Sequence, residues 1–164
     1  MSHSITFNHI NMYTPIIAPA DLNNVLYPEI QDEITRGNST VATEAIDTAV
    51  QEAKMYLTRY DLTQLFGDPT PTDANPNGIA ATFSDTYLTR MIKDIATWHL
   101  LQLANPNMNY ESAKGRYEEA LNTLKRIQKG TADPQWPFQD KTGETAPLSD
   151  SVVSLQQTKR NNNF

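Results

Sequence analysis

Apolar residues recur every three or four positions along three stretches of this chain, the spacing that lines up one face of an α-helix. The first stretch carries Val41, Ala45, Ala49, Val50, Ala53, Leu57 and Tyr60 and predicts a helix over about 40–60. The second carries Leu88, Met91, Ile92, Ile95, Ala96, His99 and Leu103, a helix over about 85–104. Trp98, Leu100 and Leu101 widen that stripe beyond what one neighbour can cover, which marks the central helix of a bundle. The third carries Tyr110, Ala113, Tyr117, Ala120, Leu121, Leu124 and Ile127, a helix over about 110–129.

The punctuation agrees with this pattern. Asn38, Ser39 and Thr40 offer three adjacent caps for the first helix, Ser84 or Asp85 caps the second, and Asn109 the third. Asn105-Pro106 stops the central helix, and the short loop there makes its neighbours antiparallel. Gly130 supplies the left-handed residue after the last helix. Glu44 and Asp47 precede Lys54 and Arg59, and Glu111, Glu118 and Glu119 precede Lys125, Arg126 and Lys129, both orders favoured by the helix dipole. Upstream, Asp21 can cap a short helix from Leu22 to about Tyr27, and Pro28 opens another through Thr35 that Gly37 ends. The fold expected is all-α, a small helical bundle over 19–130 with short helices within 21–36.

Three segments break the pattern. Residues 1–18 hold no Asp, Glu, Lys or Arg but do hold Ile5, Phe7, Ile10 and Tyr13; this N-terminal arm either lies on a neighbour's surface or folds back on its own core. Residues 67–83 contain three prolines and two glycines and form a long loop, a length that in compact domains goes with function or flexibility. Residues 131–164 are broken by Pro134, Pro137 and Pro147 and read as an extended C-terminal arm, with Trp136 and Phe138 as its large anchors and Val152, Val153 and Leu155 as a weak apolar patch.

Composition narrows the function. The net charge is −6 and the pI about 4.9, which excludes a protein that grips phosphates with a basic face. The chain has no cysteine, hence neither disulfides nor thiolate metal sites. No apolar run is long enough to span a bilayer, and MSHSITFNHI lacks the charged n-region and apolar core of a signal peptide.

Candidate chemistry is thin. Asp73-Ala-Asn75-Pro-Asn77-Gly78 mimics the first half of a calcium loop, but Ser84 stands where a bidentate Glu belongs, so a turn-rich loop is the better reading. His99 lies on an apolar face without a second His nearby and reads as a packed, hydrogen-bonded core histidine. Glu118-Glu119 and Asp32-Glu33 fall on solvent faces. Asn38-Ser39-Thr40 matches a glycosylation sequon but is better explained by capping. No nucleophile elbow, phosphate loop or zinc-helix motif occurs. We therefore expect no enzyme: no catalytic residue, no cofactor and no metal.

The strings AIDTAVQEAKMYLTRYDL (45–62), YLTRMIKDIATWHLLQLAN (87–105) and YESAKGRYEEALNTLKRIQKGTAD (110–133) resemble a family of tailed-phage and prophage neck proteins. These are the Mu-like head–tail joining proteins, similar in fold to the head–tail connector (adaptor, head-completion) proteins of long-tailed phages. The shared pattern falls on Tyr56, Leu57, Arg59 and Tyr60; on Leu88, Ile92, Asp94, Ile95, Ala96 and Leu100; and on Arg116, Tyr117, Glu118, Ala120, Leu121, Leu124, Ile127 and Gly130. Here the loop at 67–83 is longer than usual, and 134–164 extends past the common end.

The resemblance implies a virion protein made in the host cytoplasm. It forms a homo-oligomeric ring of roughly twelve copies beneath the portal protein. The ring extends the DNA channel, through which DNA passes without specific binding, and docks the next neck or tail protein. An acidic wall would suit such a channel, because it repels phosphate. Aromatic residues dominate interface energies, so Trp136, Phe138 and Phe164 are candidate portal contacts, and Phe7 and Tyr13 candidate subunit contacts. On this reading, deleting 134–164 abolishes portal association and leaves the helical domain folded. The alternatives are a tail-completion protein of the same virion, although tail terminators are usually β-rich, and a non-viral helical protein-binding module.

Overall fold

The structure, a computed structural model, describes residues 12–103 and 110–140. Within them lie a 3-10 helix, Pro19–Asn24, and five α-helices: α1 Pro28–Thr35, α2 Ser39–Tyr56, α3 Leu62–Phe66, α4 Thr86–Gln102 and α5 Glu111–Gln128. The sequence readings that rest on Phe7, the Asn105-Pro106 stop, the Asn109 cap, the 152–155 patch and Phe164 lie outside the described residues. No described helix is long and apolar enough to cross a membrane.

The bundle is all-helical, as the pattern requires, and α4 is its centre. It packs on α2, on α5 and on the 3-10 helix, and its buried residues surround the helix rather than striping it. Ile92, Ile95, Ala96 and Leu100 are fully buried. The stripe of α2 meets it through Ala45, Ala49 and Ala53, whose small side chains let the two backbones approach. Ala42 and Ile46 are buried as well, so the contact face of α2 is broader than the spacing-based stripe.

Caps form where short polar side chains reach the unpaired N–H groups of the first turn. Asn38 accepts from Thr40 N at 3.1 Å, so of the three adjacent candidates the outermost is the cap. Asp85 accepts from Leu88 N at 2.7 Å. Asp61 starts α3 and accepts from Gln64 N at 2.9 Å. The donors from Gln64 hold the Asp61 carboxyl below its ordinary pKa.

Three boundaries differ from the sequence pattern. The first long helix ends at Tyr56, not near residue 60: the Leu57 N–H turns to Lys54 O, and Tyr60 leaves the helical path to pair with Phe138. Asp21 lies inside the 3-10 helix rather than capping a later one. Pro19 has already taken the first turn, and the Asp21 carboxylate reaches back to Ala18 N at 2.7 Å. After α1, Arg36 itself adopts the left-handed conformation (φ 52°), one residue before Gly37.

The flanking segments are extended and lie against the bundle. Beyond Gly130 (φ 73°) the chain runs antiparallel to residues 59–61. Asp61 N donates to Pro137 O at 2.9 Å and Gln139 N to Arg59 O at 3.2 Å. At the other end Ile17 is buried in the same core, so residues 12–18 fold back on the chain's own bundle, one of the two outcomes open from sequence.

Candidate functional site

Of the candidate contact residues, Trp136 and Phe138 come together on Tyr60. The indole meets the phenol edge-on at 5.6 Å, and the Phe138 ring stacks on it at 5.0 Å. Their exposures differ sharply: Trp136 is 4% exposed and belongs to the core, whereas Phe138 is 51% exposed. Residues two apart in an extended segment share a side, and both aromatics pack on Tyr60; they differ in depth, Trp136 reaching the core and Phe138 lying at its edge. Trp136 is therefore spent on its own chain, and a cut at residue 134 removes part of the core rather than a free arm. Phe138 is the aromatic on offer.

Arg59 completes this surface. Its guanidinium lies 5.2 Å from the Phe138 ring centroid and 5.4 Å from that of Tyr60. It sits 3.5 Å from Asp133, which also accepts from the Tyr60 hydroxyl at 3.1 Å. A Cβ at Gly130 would stand 3.2 Å from Arg59 Nη1, and the left-handed φ of 73° favours glycine there. Beside this cluster an open groove of about 450 Å3 runs along Thr58, Asp61, Leu62 and Gln139.

Tyr13 lies elsewhere, against the 67–83 loop. Its N–H donates to Asn77 O at 3.1 Å. Its side chain packs on Gly67 and Gly78, both at positive φ, where an added Cβ would come within 3.0 Å of Tyr13 atoms. That Cβ would also lie 2.6 Å from Ile79 O at Gly67 and 2.5 Å from Asp68 O at Gly78, so the two glycines are what lets the loop close. Burial, then Asp47 and Asp68, raises the Tyr13 pKa. The string resembling half a calcium loop is part of this closure. Asn75 N pairs with Thr72 O and Thr72 Oγ1, and the Asn77 carbonyl is taken by Tyr13. Among the described residues no group of three or more His, Asp or Glu is placed to hold a metal ion.

Two polar clusters tie the long helices together. His99 is hydrogen-bonded, as expected, and its partner is Glu52: Nε2 lies 2.8 Å from Oε2. Glu52 Oε1 accepts from the Tyr117 hydroxyl at 3.0 Å. Burial first, and then this carboxylate, push Tyr117 up to about 12. The Tyr117 ring also stacks on Trp98 at 5.5 Å. With both carboxylate oxygens engaged, the cluster is a clamp across α2, α4 and α5. Sequence reading passed over Glu52; its only signal was a carboxylate between Ala49 and Ala53, on the margin of an apolar stripe.

The second cluster joins α4 to α5. Asp94 is 8% exposed, with Arg116 Nε at 3.2 Å and Arg90 Nε at 3.9 Å. The Arg116 Nε–H is near enough for an ion pair but lies off the line of a hydrogen bond. Burial raises the Asp94 pKa and outweighs the two arginines, which lower it. The cleft between these residues, Tyr87 and Thr123 measures about 30 Å3, room for water and not for a metabolite.

Comparison with protein-family models, with curated proteins and with solved structures gave no match for this chain.

Proposed function

We propose that this chain is a structural head–tail connector of a tailed phage or prophage, a subunit of a ring that sits beneath the portal, continues the DNA channel and docks the next neck or tail protein. It works by assembly and carries out no reaction. The observation that supports this reading is where the three resembling strings meet. Arg59 of the first packs on Gly130 of the third, and Asp94 of the second pairs with Arg116 of the third. The polar and glycine positions of the pattern are thus partners of one another, which chance helical periodicity does not require. A net charge of −6 suits a conduit that must let phosphate slide past.

Phe138 with Arg59, rather than Trp136, is the aromatic contact this reading assigns to a partner. The test is electron microscopy of the full chain mixed with its cognate portal ring, beside a version ending at Asp140 and the Phe138→Ala variant. The expected result is a second ring of density under the portal, weakened by Phe138→Ala. A chain that never joins the portal, at any concentration, would overturn the reading and favour a non-viral binding module.

A further inference from the structure

Charge is distributed unevenly over the described residues. From α1 to the middle of α2 the chain exposes Glu29, Asp32, Glu33, Glu44 and Asp47 against the single Arg36. Tyr27, 74% exposed, stands at the entry to α1, whose first turn carries Glu29. The far end of α2 has a basic excess, Lys54, Arg59, Lys125, Arg126 and Lys129 against Asp61, Asp133 and Asp140, with Arg59 paired to Asp133. Met55 is 64% exposed and Phe138 51%. Arg59 lies over Phe138 and against Gly130. Lys125 and Lys129, one turn apart, share the flank of α5 that carries Gln128, whose side-chain amide reaches Met55 O at 3.5 Å. The 18-residue α2 is about 27 Å long, with the acidic residues before it and in its first half and Met55 in its last turn.

We infer that this chain docks on a second copy of itself, the acidic α1–α2 end of one copy seated on the apolar and basic α2–α5 end of the next. Each end has an exposed apolar centre in a charged surround, the anatomy of a protein interface. The signs are opposite, so the pairing attracts and fixes orientation. Because the two surfaces are different and lie at opposite ends, the contact is heterologous, and each bound copy leaves one surface free for another. A twofold contact through either end would set like charge on like. The inference deepens the ring reading by naming the faces that join, and it needs no portal to test.

The net charge makes the test sharp. Copies at −6 repel on average, so attraction between them at low salt requires local pairing. The second virial coefficient of the full chain, from static light scattering, reads this directly. Measurements at about 10 mM and about 1 M salt span Debye lengths of about 30 Å and 3 Å. The wild type should give a negative coefficient at low salt that salt removes. Lys125→Glu with Lys129→Glu, and separately Asp32→Lys with Glu33→Lys, should each turn it positive, weakening self-association by at least about tenfold. The second variant carries −6 + 4 = −2, so mean charge alone would make it more attractive, whereas loss of docking makes it less. Mixing the two variants, or combining all four changes in one chain, should restore attraction. The neutral replacements Lys125→Gln with Lys129→Gln give the same ordering if a reversal disturbs the helix circular dichroism.

A wild type that repels itself at low salt, or single-end reversals that leave attraction intact, would overturn the inference. Portal binding without self-attraction would sink it and leave the connector reading standing. Self-attraction without portal binding would do the opposite.

Discussion

Trp136→Ala in the full chain asks whether residues 131–140 belong to the folding unit. The indole is 4% exposed and rests edge-on against Tyr60. A tryptophan buried to this degree takes roughly 200 Å2 out of water. At about 25 cal/mol per Å2 that is about 5 kcal/mol, an upper figure because the unfolded chain already shields some of this surface. Truncations of buried aromatics cost about 3–5 kcal/mol. Set against a total stability of roughly 5–15 kcal/mol, one substitution removes a large part of the whole. With a urea slope of about 2 kcal/mol per molar, the unfolding midpoint followed by circular dichroism should fall by about 1.5–2.5 M. Phe138→Ala, at a half-exposed position, should cost only about 1 kcal/mol. A Trp136→Ala midpoint within about 0.3 M of wild type would show that the segment is a free arm and that reasoning from its burial is wrong.

Other outcomes follow from the polar clusters and the loop. Arg116→Met should destabilise by about 2–4 kcal/mol at neutral pH, since it leaves a buried carboxylate with only Arg90 nearby, whereas Asp94→Asn should change stability by less than about 1 kcal/mol. The Asp94 pKa is raised in the folded state, so its contribution is fully present below the unfolded value of 3.8 and is lost as pH rises through the folded one; a melting series from acid to neutral should lose that slope in Asp94→Asn. Tyr117 is likewise raised, from 10.0 to about 12, so the stability it adds is intact below pH 10.0 and disappears between there and about 12; Tyr117→Phe should be less stable at neutral pH and less sensitive to that alkaline range. Gly78→Ala should cost about 1–3 kcal/mol, because φ is 72° and the new Cβ meets Asp68 O, while Gly115→Ala, on an open helical position, should gain roughly 0.5–1 kcal/mol, both read from thermal unfolding.

The sequence by itself determined the bundle: its three long helices, the Asn38 and Asp85 caps of the first two and the centrality of α4, while α5 starts at Tyr110 without a side-chain cap. These follow from interactions within a few residues, where an apolar spacing or a short polar side chain carries its own geometry. The loop at 67–83 and the left-handed Gly130 were legible for the same reason. Tertiary structure decided what lies far apart in sequence. Tyr60 leaves its helix because Phe138 and Trp136, more than seventy residues on, offer it a partner and a core. Proline and polar spacing made 131–140 look like a free arm, since nothing local says that alternate residues of an extended segment face a bundle. The Glu52–His99–Tyr117 clamp was invisible because a carboxylate on the edge of an amphipathic helix looks solvated until two other helices deliver its donors. Local periodicity fixes which face of each helix is buried, and packing fixes which distant groups that burial brings within hydrogen-bonding distance.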